Sequence, residues 1–82
     1  GDALLARPGL TSLRGARVGV ERTAVGAYEL ARALELQGLA PGDVAVVPVT
    51  ANEHVRAYDE GRVDAVVTFE PAASAIRARI EC

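Results

Sequence analysis

The fold of this chain is decided by the stretch Arg17-Val18-Gly19-Val20-Glu21-Arg22-Thr23-Ala24-Val25-Gly26-Ala27-Tyr28. Its first residues form a short apolar run, which is typical of a buried strand. From Ala27 onward, apolar residues such as Leu30 and Leu34 recur at helical spacing, while charged residues share the other side. We interpret the stretch as a buried strand that feeds a helix through a loop at residues 21–26.

This loop is the first candidate for a binding site. It follows the carboxyl end of a sheet strand, which is where open α/β sheets place their ligands. The helix after it directs its unpaired N–H groups and the positive end of its dipole toward the same place. The function of the domain therefore depends on whether residues 21–26 hold a small molecule.

Two further strand-and-helix units follow along the chain. The predicted strands cover residues 17–21, 44–49 and 65–69, and the predicted helices lie near 25–38, 51–61 and 71–80. Gly38 followed by Pro41 is a helix stop. Thr50 and Glu53 have the spacing of a capping box, and Pro71 suits the first position of the third helix.

Strand–helix alternation predicts an α/β fold with three αβα layers, a parallel sheet and right-handed crossovers. Pro48 cannot donate to a strand ladder, so its strand should lie at the sheet edge, which gives the order 2-1-3. The loop 21–26 and the turn 69–72 would then flank one crevice, with Thr50 at its margin.

The third strand would have an open edge, so we expect self-association, swapping or coverage by the N-terminal residues. Residues 3–6 are a short strand or a lead-in.

Composition limits the classes of protein that this chain can represent. Its 82 residues make a single domain, and a net charge of −2 does not suggest nucleic acid or an anionic membrane as partner. This segment contains no signal-peptide pattern and no apolar run of membrane-spanning length. Cys82, as a single cysteine, excludes an internal disulfide. Both ends look unlike natural domain termini, so we expect a fragment of a longer chain.

The sequence shows no catalytic or cofactor motif. Glycine-rich phosphate loops are absent, and Ser12 and Ser74 have no triad setting. His54 is expected to be a surface residue on the second helix. Metal ligands at coordinating spacing are absent too, so neither metal nor cofactor is predicted and the domain is interpreted as non-catalytic.

The crevice instead carries mixed binding signals. The start of the first helix offers backbone donors near Val25, Gly26 and Ala27, and with Arg22 and the Thr23 hydroxyl it suits an anionic group. Glu21 and Glu70 would suit amino or other donor groups, and the equally open alternative is that each caps a helix. Phe69 is either a core residue or a pocket wall, with the core as the first expectation. The predicted ligand-binding set is Glu21, Arg22, Thr23, Ala24, Val25, Gly26, Thr50, Phe69, Glu70 and Pro71.

An ordered series of short motifs resembles one protein family. The series reads Leu13-x-Gly15-x-x-Val18-Gly19-Val20-Glu21, Leu30-x-x-Ala33-Leu34-x-x-x-Gly38-Leu39, Asp43-Val44 and Gly61-x-Val63-Asp64-Ala65-Val66-Val67-x-Phe69-Glu70-Pro71. It is similar to the solute-binding proteins of ABC importers for nitrate, sulfonate and taurine and to their thiamine-pyrimidine-precursor relatives. The resemblance covers nearly the whole chain, and residues 3–8 resemble the segment that crosses into the second lobe.

The resemblance implies one lobe of a type II periplasmic-binding-protein-like fold, specifically the inserted second lobe of a two-lobed receptor. It implies that the loop after the first strand and the turn 69–71 face a small solute, without catalysis. The implied partners are that solute and the membrane subunits of an importer. The implied location is periplasmic or extracellular, and a membrane-anchored lipoprotein is the alternative form. Many sulfonate binders carry a glycine and several small hydroxyl residues in this loop, whereas Thr23 is the one hydroxyl here.

Two other functions stay open at this point. The same two-lobed architecture serves as the effector-sensing part of transcription regulators, which is an analogy of fold only. A pyrimidine-forming enzyme of the thiamine pathway also resembles these binders, although it would need a histidine- or cysteine-rich site. The residues that precede this segment in the open reading frame would separate the first two readings, through a signal peptide or a helix-turn-helix.

Overall fold

The structure, a computed structural model, describes residues 3–81 as one four-stranded sheet with helices on both faces. The strands are β1 (Ala3–Ala6), β2 (Arg17–Val20), β3 (Ala45–Pro48) and β4 (Ala65–Thr68). The helices are α1 (Ala24–Glu35), α2 (His54–Asp59) and α3 (Ala72–Ile80). No helix within the described residues is long and apolar enough to cross a membrane.

The sheet has the order β1-β4-β2-β3, with β2 parallel to both of its neighbours. The predicted order of the three parallel strands, 2-1-3, is therefore confirmed. Pro48 ends the edge strand β3, where its missing N–H costs no ladder hydrogen bond. The glycine-containing strand lies in the middle, and the side chains of Val63 and Val49 come so close to Gly19 that a Cβ there would lie 3.1 and 3.3 Å from them.

The outer edge of β4 is covered by β1, which pairs with it in antiparallel register from Ala3–Thr68 to Ala6–Ala65. Of the three outcomes expected for this edge, coverage by the N-terminal residues is the one present. Arg7 fixes the strand: its backbone N–H donates to the carbonyl of Asp64, and its guanidinium lies 4.2 Å from the centre of the Tyr58 ring. Strand β1 is thus joined to the sheet through β4 and to α2 through Arg7.

Alternation along the strands divides the core between the two faces. On one face, Leu30 and Leu34 of α1 pack against Val18, Val20 and Val67. On the other, Tyr58 of α2 and Ile76 of α3 pack against Val66. These side chains are at most 6 % exposed, so their burial supplies the main driving force for folding.

Two helix starts differ from the sequence expectation. After Thr50 the chain forms a 3₁₀ turn, Ala51–Glu53, and the Thr50 hydroxyl donates to the side chains of Asn52 and Glu53 rather than accepting a backbone N–H. The predicted capping box is therefore wrong, because the tighter turn brings the carboxylate to the hydroxyl. Pro71 precedes α3 as its capping residue instead of occupying the first helical position.

Candidate functional site

The carboxyl ends of β2, β3 and β4 meet at one edge of the sheet, since the three strands are parallel. The segments that leave them are 21–23, 49–50 and 69–71. All ten predicted binding residues lie in these segments or in the first turn of α1. We call this side of the molecule the carboxyl edge.

A groove of about 470 Å³ opens at the carboxyl edge between the starts of α2 and α3. Its lining is mainly apolar and consists of Ala51, Asn52, Val55, Phe69, Glu70, Pro71, Ala72 and Ala75. Three predicted residues therefore line it, and Thr50 directly precedes the first of its walls. One wall comes from residues 51–55 and the other from residues 69–75.

The loop 21–26 does not line this groove, because it leads into α1 on the opposite face of the sheet. Thr23 caps α1: its hydroxyl oxygen accepts from the N–H of Gly26 at 2.9 Å, and its carbonyl accepts from the N–H of Ala27 at 2.9 Å. Within residues 3–81, only the N–H groups of Ala24 and Val25 in this turn have no acceptor. The donors open to an anion are thus fewer than the sequence suggested.

Gly26 has a structural role in the same turn. A Cβ at this position would collide with the backbone carbonyl oxygen of Glu21. The carboxylate of Glu21 and the exposed guanidinium of Arg22 make no hydrogen bond or ion pair within residues 3–81. Both charged groups are therefore free to meet a ligand, and the capping alternative weighed for Glu21 is not realised.

For Glu70, the capping alternative is present. Its carboxylate accepts from the N–H and from the hydroxyl of Ser74, both at 2.9 Å, and lies 3.6 Å from the guanidinium of Arg77. The hydrogen bonds from Ser74 are the main cause that lowers the pKa of Glu70. About half of the side chain remains exposed at the rim of the groove, so the charge is still accessible.

Phe69 is a wall of the groove and not a core residue, contrary to the first expectation. Its side chain is 37 % exposed. Its ring packs edge to face against the ring of His54, with 5.9 Å between the ring centres. Thr68, the last residue of β4, is fully buried, whereas Phe69 follows the end of the strand and lies against His54 at the groove.

His54 is buried and not on the surface, so that prediction is wrong. It is 1 % exposed, and both ring nitrogens have partners: Thr68 Oγ1 at 2.9 Å and the carbonyl oxygen of Val49 at 3.3 Å. The sequence does contain a signal for this burial. His54, Ala57 and Tyr58 have the i, i+3, i+4 spacing of a helix face, and all three are buried.

Other features of the described residues do not form a second candidate. A groove of about 410 Å³ lies between β1 and the outer side of α1, lined by Leu4, Tyr28 and Arg32 among others, and contains none of the predicted site residues. Within residues 3–81, no cluster of three or more histidine, cysteine or acidic side chains is placed to hold a metal ion.

Comparison with known families identifies the group to which the sequence is related. The profile of the family described as NMT1/THI5 like matches residues 8–80. The chain belongs to this NMT1/THI5-like family. A search of curated proteins gives no match.

Solved structures share the fold of this family member. The periplasmic aliphatic sulphonate binding protein SsuA from Escherichia coli superposes with a TM-score of 0.77 at 24% identity, over 95% of this chain and 28% of that one. The alkanesulfonate-binding protein SsuA from Xanthomonas axonopodis pv. citri, bound to MOPS, gives 0.81 at 21% identity, over 96% and 29%. A putative periplasmic sulfonate-binding SsuA from Methylobacillus flagellatus KT gives 0.76 at 18% identity, over 96% and 26%.

The chain spans less than a third of the length of each of these proteins. At these identities the likeness shows the fold, a lobe of the periplasmic-binding-protein type. The α/β class and the family resemblance inferred from the sequence are confirmed.

Proposed function

We propose that this domain is a solute-binding lobe of an ABC transporter substrate-binding protein, and that it acts without catalysis. The observation that carries the proposal is the open groove at the carboxyl edge of a sheet in a member of the NMT1/THI5-like family. Open α/β sheets place ligands at this edge. The solved neighbours, which are named as sulfonate-binding proteins, support the same role.

The groove and the α1 start would contact different parts of a solute. The apolar walls offer contact to a carbon skeleton, with Phe69 as the largest exposed surface. The open N–H groups of Ala24 and Val25, together with Arg22, suit an anionic group. A solute that carries both an acidic group and an apolar body, such as an organic sulfonate, would use both halves.

A second lobe is needed for tight binding. Small-molecule sites usually bury about 70–90% of the ligand. The groove here has walls on two sides and is open on the third, so we infer that this domain is the inserted second lobe of a longer two-lobed protein. The importer's membrane subunits as partner and a periplasmic or extracellular location belong to the same proposal, in line with the periplasmic neighbours.

A pyrimidine precursor of thiamine is the second candidate solute. The family description includes the THI5-like proteins, and an aromatic ring would fit the apolar groove beside Phe69. Such a solute would depend on the groove and less on Arg22, because a neutral pyrimidine carries no anionic group. The two candidates therefore predict different responses to the same substitutions.

The test is calorimetric titration of the natural full-length protein with an alkanesulfonate, taurine, nitrate and a hydroxymethylpyrimidine. Two variants are compared with it: Glu70→Ala at the groove rim, and the double change Arg22→Ala with Thr23→Val at the start of α1. Arg56→Ala, an exposed position on α2 outside the groove lining, is the control. An organic sulfonate should lose affinity in the double variant, and a pyrimidine in Glu70→Ala. If neither variant changes the affinity of the best solute, the assignment of the carboxyl edge as the site fails.

A further inference from the structure

A buried polar pair lies behind the lining of the groove at the carboxyl edge, next to Val55 and Phe69 in the chain. Apart from the tyrosine Tyr58, His54 and Thr68 are the only buried polar side chains among the described residues, with exposures of 1 % and 0 %. They bond to each other, with His54 Nδ1 and Thr68 Oγ1 separated by 2.9 Å. A buried polar group without a partner is costly, so this pair holds a strongly preferred geometry.

The hydrogen-bond partners select the tautomer of a neutral His54 ring. The carbonyl oxygen of Val49 can only accept, so Nε2, which lies 3.3 Å from it, carries the proton. In a neutral ring Nδ1 then accepts, and the Thr68 hydroxyl donates to it. The other acceptor near this hydroxyl, the carbonyl oxygen of Phe69, lies at 3.5 Å, where a hydrogen bond is weak.

This bond links the two segments that carry the walls of the groove. His54 lies inside the run 51–55 that supplies one wall, and Thr68 immediately precedes the run 69–75 that supplies the other. The contact to Val49 also ties the first wall to the end of β3. One buried side chain therefore ties together the ends of β3 and β4 and the segment that carries the first wall.

The same ring restrains the most exposed aromatic of the groove. The edge of one ring faces the other at 5.9 Å, with an angle of 72° between the planes of His54 and Phe69. A phenylalanine at a strand end with 37 % exposure otherwise has several rotamers available. The imidazole gives one of them a favourable aromatic contact.

We propose that His54 is a positioning residue of the groove: through Thr68 it sets the spacing of the two walls, and through its ring it fixes the orientation of Phe69. The effect of His54 on solute affinity rests on the function proposed above. The effect of His54 on the orientation of Phe69 is independent of that function, since it exists in the protein without solute.

The test uses a matched pair at the partner position. Thr68→Val keeps the shape of the side chain but removes the hydroxyl, whereas Thr68→Ser keeps the hydroxyl. His54→Gln removes the acceptor at Nδ1 and the ring. Val18→Ala, which removes buried volume on the α1 face of the sheet, controls for a general loss of stability.

The first readout is the ¹⁹F spectrum of the 82-residue chain labelled with 4-fluorophenylalanine, because Phe69 is its single phenylalanine. We expect Thr68→Val and His54→Gln to shift or broaden the resonance, and Thr68→Ser and Val18→Ala to leave it in place. A resonance that is unchanged in Thr68→Val and His54→Gln would overturn the inference. So would an equal displacement in all four variants, since that is the result of a merely structural role.

The second readout is the affinity of the full-length protein for MOPS, the sulfonate present in one solved neighbour. Loss of one buried hydrogen bond corresponds to a decrease of about five- to tenfold in Thr68→Val, with Thr68→Ser close to the parent. If MOPS and the four solutes of the first panel fail to bind the parent protein, the proposed function fails while the fluorine spectrum still decides on His54. If the groove variant Glu70→Ala changes MOPS affinity but Thr68→Val does not, the positioning role fails and the proposed function stands.

Discussion

The carboxylate of Asp64 receives three hydrogen bonds from Arg17, one from its backbone N–H at 2.8 Å and two from its guanidinium at 2.9 and 3.1 Å. The reverse direction is also used, because the N–H of Asp64 donates to the carbonyl of Arg17 at 2.7 Å. This pairing joins the start of the central strand to the turn that enters β4. It is placed at the end of the sheet opposite the groove, so its role is structural.

Acid should weaken the fold through Asp64. Its hydrogen bonds with the Arg17 side chain, followed by the one from the Arg17 backbone, lower its pKa to about 2. A carboxyl group whose pKa is lower in the folded state stabilises the fold at any pH above its ordinary pKa. This stabilisation is lost as the pH falls from about 4 toward 2. Because the side chain is 24% exposed, the expected contribution is about 1–2 kcal/mol.

The measurement is the free energy of unfolding by urea at several pH values, in the parent chain and in Asp64→Asn. The variant should be less stable at pH 7 and should lose less stability between pH 4 and pH 2. The free energy of unfolding of the variant will still depend on pH to some extent. The hydrogen bond from Ala40 lowers the pKa of Asp43, and those from Ser74 lower the pKa of Glu70. Parallel pH profiles for Asp64→Asn and the parent would contradict this assignment.

Gly26→Ala should destabilise the chain by about 1–3 kcal/mol, which is the usual cost of overpacking. The added Cβ would meet the backbone carbonyl of Glu21, which cannot rotate away as a side chain could. Gly42→Ala is the matched control, because a Cβ there has no atom within 4 Å. Denaturant titration should separate the two variants clearly. Equal midpoints for both would show that the turn before α1 can relax.

The central topology could be predicted from the sequence because local signals agree there. The β-branched runs 44–49 and 65–69 and the stop after α1 at Gly38 mark the units, and Pro48 marks the edge strand. The edge cover by β1 is less predictable. Its four residues have no period of their own, and Arg7 fixes it through carbonyl groups more than 50 positions away in the chain.

The candidate site was predicted less completely, for a similar reason. The segments 21–26 and 69–71 do lie at the carboxyl edge, because parallel strands end on the same side. Their separation onto two faces of the sheet depends on which way each following helix turns, and residue types do not specify that. The helix-face spacing with Ala57 and Tyr58 indicates that His54 is buried, but its partner Thr68 is 14 positions away in the chain, and a single histidine gives no sign of such a partner.

Arg7→Lys should lower the free energy of unfolding by about 1–2 kcal/mol, although the charge is conserved. The guanidinium donates to the carbonyls of Tyr58 at 2.7 Å and Val63 at 3.0 Å and lies over the Tyr58 ring. Both hydrogen bonds come from Nη2, and an ammonium group lacks the planar face by which the guanidinium stacks on the ring while it donates them. Arg22→Lys, at an exposed position whose side chain makes no hydrogen bond or ion pair within residues 3–81, should change stability by less than about 0.5 kcal/mol. Similar losses in both variants would mean that β1 is not held by Arg7.

Thr23 should prove to be a helix cap whether or not it also meets a solute. Its hydroxyl oxygen accepts from the N–H of Gly26, so Thr23→Val should lower stability by about 0.5–2 kcal/mol. Thr23→Ser keeps the oxygen and should retain most of that stability, which thermal unfolding of the three proteins can measure. Solute titration then separates the two roles. If a solute contacts the open N–H groups of Ala24 and Val25, its affinity should fall in Thr23→Val and recover in Thr23→Ser, because the cap fixes the position of those groups. If the serine variant is as unstable as the valine variant, the oxygen does not cap α1, and the geometry assigned to this half of the carboxyl edge is wrong.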